Sequence, residues 1–267
     1  MTFSIVDIIN AQRELLKFRV NNNRNHERFI FPFLCGSYFT YRKIDVIRIV
    51  TIAKTISDNP TYLDVGCGYG DFLEKIREYI PEAEGIEKSA DIFYSIGRIK
   101  PDWIKIADAY NGINKNYDIM FVGWMEPGAD YRDQISTKTD VIITTLDQGL
   151  SLSTEFEGHG FEKIASWITP TWEDVNIEIT NKHYTKITND TIQSLIDLRG
   201  AHNLWYVYCK PELKNILKSA LKRCLIEELK KSYSKYEFEN VLDNTGYKYF
   251  EMLKNPYIKH RLWDPIF

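Results

Sequence analysis

Residues 61–71 read TYLDVGCGYGD. An apolar strand, carried by Tyr62, Leu63 and Val65, runs into glycines at 66, 68 and 70, and a helix begins at Asp71. Glycines at alternating positions let the chain turn sharply and let a ligand lie against bare backbone. Strand, glycine turn, helix is how an open α/β sheet receives a nucleotide-like ligand, at the carboxyl ends of its strands. The dinucleotide fingerprint G-x-G-x-x-G would require glycine at position 71, which is Asp. The pattern here is D-x-G-x-G-x-G, with the acid Asp64 two residues before the first glycine.

The strands that follow repeat the theme. Ala83–Lys88 reads as a second strand ending in Glu87, 21 residues beyond Gly66. An acid at that place suits a ribose diol, because two carboxylate oxygens can accept from two hydroxyls. Trp103–Ile106 reads as a third strand, followed by Ala107, Asp108 and Ala109. Three acids, Asp64, Glu87 and Asp108, thus end three successive strands at one sheet edge. A fourth strand over 117–122 and a fifth over 141–146 are near-continuous apolar runs of the kind buried on both faces. Strands alternating with helices from 61 to about 147 predict a parallel sheet with right-handed crossovers.

Asp64 with the three glycines, and the acids Glu87 and Asp108 that follow, resemble the first motifs of the class I S-adenosylmethionine (SAM) dependent methyltransferases. The resemblance covers roughly residues 61–210. It implies an α/β fold with a mostly parallel seven-stranded sheet and helices on both faces, the last strand inserted antiparallel. The segments at 160–169 and 203–211 match those final two strands. It further implies that Gly66, Gly68 and Gly70 leave room for the methionine and ribose portions of SAM. Asp64 would orient the cofactor's amino end and Glu87 would bind the ribose hydroxyls. Ile86 and Lys88 would flank the adenine, and Asp108, with Ala109 beside it, would meet the adenine amino group. Cys67, between the glycines, is expected to be a spacer within the cofactor site. After the fourth strand the chain has Gly123-Trp124-Met125-Glu126-Pro127-Gly128, where base-amine methyltransferases often carry an N/D-P-P-Y type sequence. That departure leaves the acceptor open. Trp124 is a candidate wall for the sulfonium, and Glu126 is a candidate base or, equally, the first acid of the next helix. His159, Asp147 and Tyr131 are further candidates by position.

The resemblance implies SAM as cofactor, S-adenosylhomocysteine as product and no metal. The expected function is methyl transfer to a small molecule, an RNA or a protein. A catalytically silent module of the same fold, acting through its helical extensions, is the alternative. A nicotinamide oxidoreductase on a similar sheet is disfavoured by Asp64 and Asp71.

With 267 residues the chain can bury a full core. The expected division is an N-terminal helical and aromatic extension over 1–58, the cofactor domain over 59–210 and a C-terminal helical extension over 211–267. The net charge of −3 hides an uneven distribution: +4 over 1–60, −11 over 61–206 and +4 over 207–267. An acidic centre suits a cationic cofactor, and basic ends suit an anionic partner such as RNA. Lys210, Lys214, Lys218 and Lys222 form a row at four-residue spacing, and the aromatics between Phe29 and Tyr41 are flanked by basic residues, Arg24 and Arg28 before them and Arg42 and Lys43 after. The alternative for the row is a solvated helix face, and for the aromatics packing onto the core. Leu213, Leu217, Leu221, Leu225 and Leu229 make the expected buried stripe of the same helix, with Ile216 and Cys224 beside it. The absence of a long apolar run and of a leader-like N-terminus predicts no membrane span, and four scattered cysteines predict a reduced, cytoplasmic setting.

Overall fold

The computed structural model describes residues 6, 9–10, 13, 41, 43–94, 99–123, 125, 129–146, 156–169, 203–230 and 265–267. Most of residues 1–42 of the expected N-terminal extension and all of 170–202 lie outside the described residues, as do Trp124, Glu126 and Asp147.

Seven strands form one sheet. They are β1 (Tyr62–Val65), β2 (Glu84–Glu87), β3 (Ile104–Ile106), β4 (Ile119–Gly123), β5 (Val141–Leu146), β6 (Glu162–Thr169) and β7 (Asn203–Cys209). Their spatial order is β3-β2-β1-β4-β5-β7-β6. The first five run parallel, and β7 is antiparallel to both of its neighbours. The order reverses between β1 and β4, so a crevice opens there at the carboxyl ends of the strands. Chain alternation explains the two faces. Tyr62, Phe121, Ile143, Trp205 and Trp167 point to one core, and Leu63, Val65, Met120, Val122 and Ile142 point to the other.

Helices cover both faces. α1 (Lys43–Ile56), α2 (Asp71–Arg77) and α5 (Lys214–Lys230) contribute to the first core, with Phe93 of the short α3 (Asp91–Tyr94). Ile135 of α4 (Arg132–Ser136) and Phe156 contribute to the second. Phe72, Leu73 and Ile76 of α2 are all buried, as their spacing requires. In α3 the buried residue is Phe93, while Tyr94 is 78% exposed. In α5 Leu217, Ala220, Leu221 and Cys224 face inward, and Ile216 is turned to solvent. Pro211 opens a 3-10 turn over Pro211–Leu213 that leads into α5.

One feature of the first core does not follow the apolar pattern. Arg48 of α1 is 1% exposed, and its guanidinium makes a two-pronged pair with Glu228 of α5 at 2.9 and 2.7 Å. The guanidinium also stands 5.0 Å over the Trp167 ring, and Trp167 Nε1 donates to buried Asp45 at 2.9 Å. Trp167 stacks in turn on Trp205, with ring centres 5.6 Å apart. This cluster ties α1, α5 and the strand pair β6–β7 into one unit. Glu228→Ala leaves a buried cation without its main partner and is expected to cost about 3 kcal/mol, a fall in Tm of about 6–12 °C. Thermal unfolding of Glu228→Ala and of the Arg48→Met/Glu228→Met pair checks this, and the double variant should recover at least half of the loss.

Candidate active site

The glycine turn is built as the sequence demands. Gly66, Gly68 and Gly70 have φ of 73°, 55° and 80°, the left-handed region that side chains disfavour. The Gly66 and Cys67 N–H groups both donate to the Ile86 carbonyl, at 2.9 and 3.1 Å, which ties the turn to β2. The Gly70 carbonyl then accepts the Glu74 N–H at 2.8 Å and starts α2. A Cβ at Gly70 would lie 2.6 Å from the side chains of Trp103 and Ile104, so this third glycine serves packing beneath the site. At Gly85 a Cβ would come within 2.7 Å of Cys67 Sγ. The Cys67 side chain therefore packs down onto β2.

Glu87 completes the turn from the β2 side. Its Oε2 accepts the Gly68 N–H and its Oε1 accepts the Lys88 N–H, both at 2.9 Å. Each oxygen keeps a second lone pair for a ligand hydroxyl. After β3, the Ala107 N–H donates to the Glu87 carbonyl at 2.9 Å and sets the height of Asp108. Asp108 Oδ1 accepts the Tyr110 N–H at 3.0 Å, and Oδ2 lies 3.7 Å from Lys88 Nζ. The Asp108 carbonyl accepts the Gly112 N–H at 2.7 Å, a closure that needs glycine because a Cβ there would sit 2.6 Å from that of Ala107.

These segments enclose a cavity of about 260 Å³. The turn contributes Gly66 and Gly68, and β2 contributes Ile86, Glu87 and Lys88. The segment after β3 supplies Asp108, Ala109 and Tyr110, and the segment after β4 supplies Gly123, Ala129 and Tyr131. Seven of the residues singled out as cofactor contacts therefore line one cavity: Gly66, Gly68, Ile86, Glu87, Lys88, Asp108 and Ala109. Cys67, Gly70 and Asp64 do not line it; Asp64 and Cys67 are chain neighbours of the lining residues Val65, Gly66 and Gly68, in the layer behind them, termed the floor. Tyr131, a candidate by position, lines it and meets Tyr110 edge-to-face at 5.9 Å. Tyr110 went unnoticed in the sequence although it directly follows Asp108-Ala109. His159 is elsewhere, with Nδ1 3.0 Å from Asp133 Oδ1 beside α4.

The electrostatics of the floor are uncompensated. Asp64 is 2% exposed, and one of its carboxylate oxygens has no hydrogen-bond partner among the described residues. Burial, and then the charge of Glu87, push its carboxyl well above the ordinary range. The neighbouring Tyr62 hydroxyl and Cys67 thiol are likewise pushed up, first by burial and then by Asp64. A buried carboxyl of this kind favours either a proton or a nearby cation. An ammonium or sulfonium fits that requirement, and a ribose diol fits Glu87. Among the described residues no group of three or more His, Cys, Asp or Glu is gathered to hold a metal, and no helix is long and apolar enough to cross a membrane.

The crevice lies where the strand order reverses, and the single reversed strand, β7, sits inside the sheet beside β5. The protein has the class I methyltransferase-like fold. No family model and no curated protein matches the sequence. Solved structures of similar shape include the O-methyltransferase of a trans-AT PKS multienzyme of Brevibacillus brevis, in complex with S-adenosyl-L-homocysteine. It is 15% identical with a TM-score of 0.45, over 86% of this chain and 92% of that one. Magnesium protoporphyrin IX methyltransferase from Synechocystis, with bound SAM, is 11% identical with a TM-score of 0.43, over 77% and 95% of the two chains. Precorrin-6y C5,15-methyltransferase from Geobacter metallireducens is 16% identical with a TM-score of 0.38, over 66% and 94%. The assignment of a methyltransferase-like fold rests on strand order and direction.

The raised Asp64 carboxyl sets a sign for stability against pH. The folded state holds a proton that the unfolded chain releases near its ordinary aspartate value of about 4. Stability of the ligand-free protein therefore falls as pH rises above that value and up to the folded value, with a limiting slope of about 1.4 kcal/mol per pH unit from this group. Asp64→Asn removes the effect. The variant's Tm advantage over the parent is expected to widen as pH rises above about 4, as read by thermal unfolding. An advantage that stays constant with pH would show that Asp64 carries no extra proton.

Proposed function

We propose that the protein is a SAM-dependent methyltransferase. The observation that carries this reading is the convergence of Gly66 and Gly68 of the turn and two strand-end acids, Glu87 and Asp108, on one cavity, with a third acid, Asp64, buried behind it with one oxygen unpaired. In this reading the bare backbone of Gly66 and Gly68 makes room for the cofactor's methionine and ribose portions. Asp64 provides the negative charge that its amino end needs. Glu87 accepts from the ribose hydroxyls while still holding the Gly68 and Lys88 N–H groups. Ile86 and Lys88 bound the adenine, Asp108 accepts from its amino group, and Tyr110 and Tyr131 close the outer side.

SAM supplies an activated methyl on a sulfonium, a leaving group that needs no further activation. The protein's task is then to align the acceptor and exclude water. A general base is required only for an acceptor that arrives protonated. Glu126 and Trp124 keep those roles as proposals, since both follow β4, whose end at Gly123 borders the cavity.

For the acceptor we favour a small molecule. The lysine row that suggested RNA is engaged within the protein at three of its four positions. Lys210 Nζ stands 4.0 Å over the Phe161 ring. Lys214 pairs with Glu162 at 2.5 Å, and Lys222 stands 5.4 Å over the Phe267 ring. Cations used in this way are less free to neutralise phosphates.

Two measurements test the reading. Glu87→Ala is expected to weaken SAM binding about 10–100-fold through loss of charge-assisted hydrogen bonds and of the turn's anchor. Calorimetry on the folded variant decides it, and unchanged affinity would place the ribose elsewhere. The second is transfer of labelled methyl from SAM into a cell extract, with products separated by size and by nuclease and protease sensitivity. Label in small molecules is expected. Nuclease-sensitive label would make RNA the acceptor. SAM binding without label in any fraction would favour the silent module.

A further inference from the structure

The sheet has two ends, and one of them is covered. β6 is an edge strand with β7 on one side only. On its other side Ile266 makes an antiparallel bridge with Ser166. The Ser166 N–H donates to the Ile266 carbonyl at 2.8 Å, and the Ile266 N–H donates to the Ser166 carbonyl at 2.7 Å. Phe267, the next residue, lies under Lys222 of α5 at 5.4 Å. The last residues of this chain therefore sit across the sheet edge and the helix that packs beside it.

Backbone pairing holds Ile266 itself, whose side chain is 69% exposed, while the flanking Pro265 is buried and Phe267 is only 38% exposed, so its neighbours add apolar contact. The two main-chain bonds contribute about 0.5–1.5 kcal/mol each. A contact of that strength persists when the segment is tethered, which raises its local concentration, and is weak for a free peptide. β6 meanwhile has eight residues, and among the described residues the segment pairs with one of them, Ser166. An open edge is a template for a further strand.

We propose that β6 is a strand-docking edge centred on Ser166, and that residues 265–267 occupy it as a latch. The latch binds by backbone pairing, so it accepts a short extended segment with little regard to the side chain at position 266. It requires only that residue's N–H and carbonyl. Its position joins α5 to the far end of the sheet, on the strand whose Trp167 also reaches Asp45 of α1. The latch thus closes the same unit that the Arg48–Glu228 pair holds from within. It stands independently of the methyl-transfer reading, since the cavity lies at the other end of the strand order.

A chain shortened to end at residue 264 and a fluorescent peptide of residues 261–267 test this. Anisotropy is expected to show saturable binding of the peptide to the shortened chain, and binding at least tenfold weaker to the intact chain, whose own latch competes. The peptide with Ile266→Ala should bind within about threefold of the parent. The peptide with Ile266→Pro lacks the N–H and should lose binding. In the intact chain, Ile266→Pro should speed hydrogen exchange at the Ser166 amide at least tenfold, a readout that does not depend on how the shortened chain folds. Three results would each overturn the proposal. They are failure of the shortened chain to bind the peptide, loss of binding by the Ile266→Ala peptide, and unchanged Ser166 exchange. A shortened chain that pairs with itself and refuses the peptide would assign the edge to a second copy instead.

Discussion

A single carboxylate keeps the site in shape. Glu87 accepts the N–H of Gly68 with one oxygen and that of Lys88 with the other, so the middle of the glycine turn and the exit of β2 are held by the same group. The turn has few other restraints. Its glycines have no side chains to pack, and their backbone angles are those that an unconstrained chain visits only in passing. The Ile86 carbonyl secures the start of the turn and Glu87 secures its centre. A residue that arranges the turn and also lines the cavity would make affinity and local order inseparable.

The floor of the cavity works against stability. Asp64, Tyr62 and Cys67 are acidic groups gathered under the turn, each pushed toward its neutral form by burial. Nothing among the described residues completes the hydrogen bonding of Asp64. A core chosen for stability alone would place an apolar residue there. The compensation lies in the packing around it. Phe72, Phe121 and Trp205 meet at 5.1–5.7 Å, and Trp167 stacks on Trp205. Asp64 pairs in register with Phe121, so the buried carboxyl sits beside this aromatic packing.

Much of the site was legible because its signals are local. Asp64 and the glycines fall within seven residues, and Glu87 and Asp108 each follow a short apolar strand, so spacing alone sets them in register. The strand order beyond β5 was legible only through resemblance. The Arg48 cluster was not legible at all. Arg48 and Glu228 are 180 residues apart, and a charged residue on an amphipathic helix normally reads as its wet face. Gly70 and Gly85 were hidden for a related reason. Their role is set by Trp103, Ile104, Leu73 and Cys67 pressing against them, which is a property of packing and leaves no pattern in the chain. Ile216 shows the converse, an apolar residue in a helical stripe that the helix turns outward.

Formal charge by segment suggested basic ends around an acidic middle, and the structure changes what that division means. In the described part of the C-terminal segment, Lys214 answers Glu162 on β6, and Lys210 and Lys222 cover aromatic rings. In the N-terminal part Arg48 answers Glu228. In these instances the cations meet partners on the protein itself, Arg48 buried and Lys222 still exposed. The acidic middle is not neutralised in the same way at the cavity. Asp108 has Lys88 at 3.7 Å, whereas Glu87 is held by backbone N–H groups and Asp64 has one oxygen unpaired. Partial charges from N–H groups organise Glu87 without cancelling its charge. Negative charge at Glu87 thus remains where the strands end, and under the proposed function it is there, more than in the overall balance of −3, that a cationic ligand would be drawn.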